Sequence, residues 1–126
     1  MVVTALTAPV GPYAAGHRGV DLAAAVADVV RSPTVGTVTF GGEVAGRRVL
    51  VVTHPGGLRS TLEPVTSYVP VGTVVRKGAA VGTVDATPGH CAPATCVHWG
   101  VLRGATYLDP LKFVTTPRVV LLPLVP

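Results

Sequence analysis

Residues 94–104 read Ala-Thr-Cys-Val-His-Trp-Gly-Val-Leu-Arg-Gly, and they hold one of the two cysteines, one of the four histidines and the only tryptophan. The alternation predicts a β-strand, because successive side chains of a strand point to opposite faces. One face would then carry Cys96, His98 and Gly100, and the other Val97, Trp99 and Val101. A Cys-x-His pair on one face is a common way to build part of a metal site. The alternative is a histidine with a purely structural role.

A second group of candidate ligands lies near the N-terminus, where residues 16–22 read Gly-His-Arg-Gly-Val-Asp-Leu. His17 and Asp21 come from a glycine-rich loop that runs into an apolar segment. Together with His98 they make a set of two imidazoles and one carboxylate, which suits zinc with an open fourth position. The alternative is that His17 and Asp21 only cap a loop.

With the two motifs in this order, the chain resembles the lysostaphin-type (LytM-like) zinc metallopeptidases, which cut peptidoglycan cross-bridges and stem peptides. The resemblance extends over residues 11–113. It includes Ser-Pro-Thr-Val-Gly-Thr-Val at 32–38, Val-Arg-Lys-Gly-Ala-Ala-Val-Gly at 75–82 and Tyr-Leu-Asp-Pro at 107–110. It implies an all-β fold of compact antiparallel sheets with short strands and Gly/Pro turns.

The resemblance also implies a metal site in which His17, Asp21 and His98 bind Zn2+, so that water in the open position becomes more acidic. The family uses two further histidines, which do not bind the metal but polarise the water and stabilise the oxyanion. The matching positions here hold Val65 and Cys96. Losing one such group costs about a hundred- to ten-thousandfold in rate, so we expect weak hydrolysis or none.

Two residues are candidate substitutes for the missing general base. Glu63 lies two residues before Val65 and would share its face if the register continues past Pro64. His90, beside Cys91, could reach over the metal cleft. The alternative for Glu63 is a solvated charge at a sheet edge.

Composition agrees with an all-β chain, since fifteen Gly, twelve Pro and abundant Val and Thr accompany few helix-favouring residues. Residues 20–30 contain four alanines and could form a helix, but the resemblance implies a short strand, a turn and a second short strand. We predict turns at Gly41-Gly42 and Pro55-Gly56-Gly57, and a strand break at Pro64. The predicted organisation is a single domain over 1–126, with a lead-in or edge strand at 1–10, the family core at 11–113 and a terminal strand at 114–126.

Charge and apolar runs exclude several classes of protein. The net charge is +4, but the basic residues are scattered and no basic run is interleaved with aromatic residues, so a nucleic-acid surface is not expected. The sequence contains no run of eighteen apolar residues, so we expect no membrane-spanning helix. No acidic or basic residue precedes Arg18, so a signal-peptide n-region is absent.

The two cysteines bear on the compartment. Cys91 and Cys96 flank Ala-Pro-Ala-Thr, a spacing that can close a small disulfide loop, and such bridges persist outside the cytosol. Two free thiols beside a metal are the alternative. We therefore expect an extracytoplasmic monomer, secreted or wall-associated, whose export signal is not part of this chain.

Two functions follow from these expectations. In the first, the chain is a zinc-binding LytM-like domain that recognises peptidoglycan peptides, or regulates a cell-wall hydrolase or division protein, with weak or no hydrolysis. In the second, it is an active endopeptidase that uses Glu63 or His90 as a non-standard base. The substitutions at Val65 and Cys96 favour the first.

Overall fold

The computed structural model describes residues 19–86 and 95–110, and within these ranges it forms ten β-strands and one short 3-10 turn, Pro55–Gly57. The strands are β1 Val20–Ala23, β2 Val29–Arg31, β3 Gly36–Val44, β4 Arg47–Thr53, β5 Leu58–Glu63, β6 Val65–Ser67, β7 Val74–Val75, β8 Ala80–Val84, β9 Cys96–Arg103 and β10 Thr106–Leu108.

The strands make two antiparallel sheets. The larger sheet has seven strands in the order β1-β9-β5-β4-β3-β7, with β10 also paired to β9. The smaller sheet has the order β2-β8-β6. A single buried apolar cluster contains residues of both sheets, among them Val30 and Val81 from the smaller sheet and Leu50 and Trp99 from the larger one. The expected all-β, antiparallel fold is therefore confirmed.

Strand β9 shows the predicted alternation. Val97, Trp99 and Val101 are buried in the core cluster, whereas His98 lies on the opposite face and is partly exposed. Cys96 is buried as well, but it lies outside that cluster. The alternation matters because it orients His98 away from the core.

The segment 20–30 forms strand, turn and strand, as the resemblance implied, with β1 and β2 on different sheets. The predicted turn at Gly41-Gly42 is wrong, because β3 continues through both glycines to Val44. The turn falls instead at Ala45 and Gly46, which have φ values of 50° and 81°. A close contact explains a glycine inside the strand: a Cβ at residue 41 would lie 2.9 Å from the Cβ of Ser67.

Several predictions fall outside the described residues. These are the lead-in at 1–10, the terminal strand at 114–126 and the side chains of His17, His90 and Cys91. The domain boundaries therefore stay predictions. Among the helices in the described part of the chain, none has the length and apolar character needed to cross a membrane.

Candidate functional site

Three polar residues stand in one row across β1, β9 and β5, which form one side of the larger sheet. His98 on β9 is paired directly with Asp21 on β1 and, on its other side, with Glu63 on β5. Directly opposed residues of antiparallel strands project from the same face of the sheet. Their chain neighbours Leu22, Leu62, Val97 and Trp99 are buried in the core. The face that carries Asp21, Glu63 and His98 is therefore the one turned away from the core, and we call it the site face.

Asp21 and His98 are already in contact. The Nδ1–H of His98 donates a hydrogen bond of 2.9 Å to Oδ1 of Asp21, and the two side chains are 23% and 21% exposed. Two donors at about 2.0–2.2 Å from one tetrahedral zinc lie roughly 3.3–3.6 Å apart. The pair would have to open by only about 0.5 Å for the metal to take the place of the shared proton. The geometry and the chemistry of this pair fit two ligands of one zinc.

The third predicted ligand, His17, lies two residues before the described part of the chain. Gly19, where that part begins, has a φ of 144°, and a Cβ there would lie 2.2 Å from the carbonyl oxygen of Trp99. Glycine is therefore required for the chain to enter β1 so close to β9. Within residues 19–86 and 95–110 no three His, Cys, Asp or Glu side chains are grouped closely enough to hold a metal. The complete ligand set stays a prediction.

Glu63 is ion-paired on the site face. The Nη1 of Arg47, at the start of β4, donates to both carboxylate oxygens of Glu63 at 3.0 and 2.9 Å. The side chain of Glu63 is 23% exposed and that of Arg47 is 55% exposed. The structure thus places an ion-paired carboxylate beside His98. From the sequence alone, Glu63 could also have been a solvated charge at a sheet edge.

Val65 does not share the site face with Glu63, contrary to the register that the sequence suggested. Strand β5 ends at Glu63, and a cis peptide bond between Glu63 and Pro64 leads the chain into β6 of the smaller sheet. Val65 pairs there with Val84 and is 1% exposed in the core. The residue that faces the predicted metal ligands is therefore Glu63.

Cys96 lies on β9 two residues before His98 and is paired with Ala23 of β1. It occupies the site side of the strand, but it is almost fully buried. Its predicted partner, Cys91, lies outside the described residues, so the disulfide stays a prediction.

His54 belongs to the opposite, core side of the sheet. Its Nδ1 lies 2.8 Å from the carbonyl oxygen of Val35, and its Nε2 lies 2.7 Å from Oγ of Ser60. Because a carbonyl can only accept, Nδ1 must carry the proton, and Ser60 therefore donates to Nε2. The Nε1–H of Trp99 in turn donates to Ser60 Oγ at 3.1 Å.

This arrangement requires a neutral imidazole, and burial lowers the pKa of His54, although the hydrogen bond to Val35 works in the opposite direction. His54 thus has a structural role in the core. Sequence reasoning missed Ser60, although the period of two places it on the same face of β5 as Leu58 and Leu62. The network ties the β4–β5 turn to the entry of β3 and to β9.

Comparison with known proteins places this arrangement in a family. The model of peptidase family M23 matches residues 15–110, a range that contains all the predicted metal ligands. The chain belongs to peptidase family M23. The uncharacterized protein Rv2891 of Mycobacterium tuberculosis is 42% identical over 113 residues, which is 86% of this chain and 45% of that protein. The chain thus spans less than half the length of this curated relative.

Solved structures agree with membership of M23. Helicobacter pylori Csd3 superposes with a TM-score of 0.71 at 27% identity, covering 86% of this chain and 31% of that protein. The antimicrobial peptidase lysostaphin from Staphylococcus simulans superposes with a TM-score of 0.70 at 23% identity, covering 84% of this chain and 47% of lysostaphin. The second likeness concerns the fold alone. M23 peptidases are typically zinc-dependent, which makes the Asp21–His98 pair the part of the site to test first.

Proposed function

We propose that this chain is an exported, zinc-binding M23 domain that recognises peptidoglycan peptides on its site face and hydrolyses them weakly or not at all. Such a domain would act as a wall-binding module or as a regulator of a wall enzyme. The observation that carries the proposal is the contact between Asp21 and His98, which would have to open by only about 0.5 Å to hold one metal. Membership of M23 supports peptidoglycan as the target.

The ligand set would consist of His17, Asp21 and His98. Zinc held there would supply a Lewis acid that makes water more acidic and polarises a carbonyl. The Nδ1 of His98 would have to lose its proton to bind, and the Asp21 carboxylate beside it would offset the positive charge of the metal. Both side chains are partly exposed, which is compatible with a site that a ligand can reach.

Weak hydrolysis is supported by what surrounds these ligands. Attack on a peptide carbonyl needs a group that accepts the proton of the water and a donor for the oxyanion. Cys96 stands where an imidazole is expected, and it is buried. The carboxylate of Glu63 is close, but both of its oxygens already accept from Arg47. Within residues 19–86 and 95–110, neither Cys96 nor Glu63 is thus a ready substitute for the expected imidazoles.

Export is supported by the predicted Cys91–Cys96 disulfide, which is part of the same proposal. Cys96 is 4% exposed, and the described part of the chain contains no free cysteine. Thiol titration of the unreduced, denatured protein tests the bridge. Two reactive thiols would contradict it and would return Cys96 to the candidate metal ligands.

The main experiment is metal analysis combined with a digestion assay. We expect the purified chain to bind one zinc and His98→Ala or Asp21→Ala to lose it, with affinity reduced more than about a hundredfold, since even changes beyond the first ligands cost tenfold to a hundredfold. Asp28→Ala is the matched control, because Asp28 caps the turn before β2 and lies outside the predicted ligand set. Wild-type zinc uptake by His98→Ala would refute the metal site, and robust digestion of muropeptides would refute weak hydrolysis.

A second candidate function is an active zinc endopeptidase with Glu63 as general base. The position of Glu63 directly opposite His98 favours it, because a carboxylate there could accept a proton from the attacking water. If the wild-type chain digests muropeptides, Glu63→Gln should lower the rate by about a hundredfold or more. Glu43→Gln, on the exposed β3–β4 hairpin, is the control for the lost charge. An unchanged rate in Glu63→Gln would leave His90 as the base to test.

A further inference from the structure

Arg47 is an unusual neighbour for a predicted metal site, because it places a second positive charge close to the metal ligands. It begins β4 and pairs with Val44 of β3. The register of β4 with β5 would place residue 65 beside it, but the chain has left the larger sheet by then. No β5 residue therefore lies opposite Arg47, and its side chain extends over that place to form an ion pair with Glu63.

The guanidinium of Arg47 has donors to spare. It carries five N–H groups, and the contact with Glu63 uses only Nη1. Within the described ranges, Nε and Nη2 make no hydrogen bond, and the side chain is 55% exposed. The Nε–Nη2 edge is the one that can grip a carboxylate through two parallel hydrogen bonds. A second carboxylate can therefore bind Arg47 without displacing Glu63.

The charges of the site face decide which ligands could use this edge. A bound zinc would offset the charge of Asp21, but Glu63 would still repel a second carboxylate that approached it, and a cation beside Glu63 would reduce that repulsion. Arg47 supplies one next to Glu63. Arg59 lies on the same strand as Glu63, but its Nη2 donates to the carbonyl oxygen of Gly104, at the far end of the strand.

We propose that Arg47 is a specificity-determining residue that binds a free carboxylate of the peptide ligand. The preferred ligands would then be peptidoglycan peptides with free carboxylates, and neutral oligoglycine bridges would bind poorly. This inference rests on the proposed function, since it assumes that the site face recognises peptides.

The test is calorimetric titration of the zinc-supplemented chain with one synthetic stem peptide, N-acetylated L-Ala-γ-D-Glu-L-Lys-D-Ala, in two forms. One form has both carboxylates free, and the other has both amidated. Because a charge-assisted bidentate contact is at stake, we expect the free acid to bind wild type about ten- to a hundredfold more tightly. Arg47→Gln should abolish this preference by weakening the free acid alone.

Two variants separate direct binding from indirect effects. Arg48→Gln removes the same charge from the neighbouring, exposed position on the opposite face of β4 and should keep the preference. Glu63→Gln removes the partner of Arg47 and should keep or increase the preference. If Glu63→Gln instead reproduces the loss seen in Arg47→Gln, Arg47 acts only through Glu63, and the inference is wrong.

The remaining outcomes are also decisive. Equal binding of both peptide forms by wild type, or an unchanged preference in Arg47→Gln, overturns the inference while leaving peptide recognition intact. Binding of neither form by zinc-loaded wild type overturns peptide recognition itself, and the inference with it.

Discussion

The two faces of strands β5 and β9 treat polar residues in opposite ways. On the core face, His54, Ser60 and Trp99 form a closed chain of hydrogen bonds that ends at a backbone carbonyl. On the site face, Glu63 and His98 are partly exposed, and each is held by a charged or polar side chain of a neighbouring strand. Ser60 and Glu63 are three residues apart on β5, and an odd separation places two residues on opposite faces of a strand.

The difference shows what fixes the role of a histidine. Both imidazoles donate through Nδ1, but His54 donates to a backbone carbonyl, and its Nε2 accepts from a buried hydroxyl. His98 donates to a carboxylate that could instead share a metal with it. In the described ranges, no buried polar side-chain atom lacks a hydrogen-bond partner. The core face is thus complete by itself, whereas the site face has bonds that a ligand can replace.

The largest effect should come from placing a histidine on the wrong face. Val65→His puts an imidazole into the core position of a 1%-exposed valine. Lost apolar burial and an unpaired polar group should together cost about 3–5 kcal/mol of the free energy of unfolding. Glu63→His, on the site face, gives up one partly exposed ion pair and should cost no more than about 1 kcal/mol.

Chemical denaturation of both variants gives the two values. If Val65→His is tolerated as well as Glu63→His, Val65 does not pack in the core as described. Glu63→His is also the variant in which we would look for increased muropeptide digestion, because it places an imidazole directly opposite His98.

This pair of positions also shows where sequence reasoning succeeded and failed. The alternation of 96–102 predicted the two faces of β9 correctly, because a half-buried strand imposes period two on its side chains. The same period, extended from Glu63 to Val65, failed because the chain changes sheets at Pro64. A proline announces an interruption of the strand, but it does not say which sheet the next residue joins.

Contacts between residues far apart in the sequence were the other limit on prediction. Asp21 and His98 were grouped through their ligand chemistry and a family pattern, because 77 positions separate them and no local signal indicates their contact. Arg47 and Glu63 were not connected at all, because nothing in two single charges on different strands indicates that they meet. Ser60 was missed as well, because nothing in the sequence indicates that its hydroxyl meets His54 and Trp99.

The second effect in size should follow removal of the core histidine. His54→Ala leaves a cavity and removes the hydrogen-bond partner of both the Val35 carbonyl and the Ser60 hydroxyl. We therefore expect the free energy of unfolding to fall by about 2–4 kcal/mol. His98→Ala in zinc-free protein should lose less than about 1 kcal/mol, because that side chain is partly exposed. Chemical denaturation gives both free energies of unfolding, and equal losses in the two variants would contradict the difference between the two faces.

A smaller effect is expected from the hydroxyl that joins the network. Ser60→Ala leaves Trp99 Nε1–H and His54 Nε2 unpaired in the core, which should cost about 1–3 kcal/mol. The neighbouring Thr61→Ala, on the site face, should change stability by no more than about 0.5 kcal/mol. The double variant His54→Ala, Ser60→Ala should lose less than the sum of the single variants, because they share one hydrogen bond. Additive losses would argue against the network.

The smallest effect is a pH dependence that comes from His54 on the core face. Burial lowers the pKa of His54 below its ordinary value of 6.5, so the unfolded chain binds this proton more readily than the folded one. Its contribution to stability is therefore complete above pH 6.5 and is lost as the pH falls from there towards the lower pKa of the folded state. His54→Asn cannot titrate at this position and should show a shallower decline over the same window. Denaturation curves of both proteins, recorded with a chelator so that metal binding does not contribute, give the two slopes, and the titrating groups that the two proteins share cancel in the comparison. Equal slopes would mean that His54 is protonated as easily in the folded protein as in the unfolded chain, and the closed hydrogen-bond chain from Trp99 through Ser60 to Val35 could not then be correct.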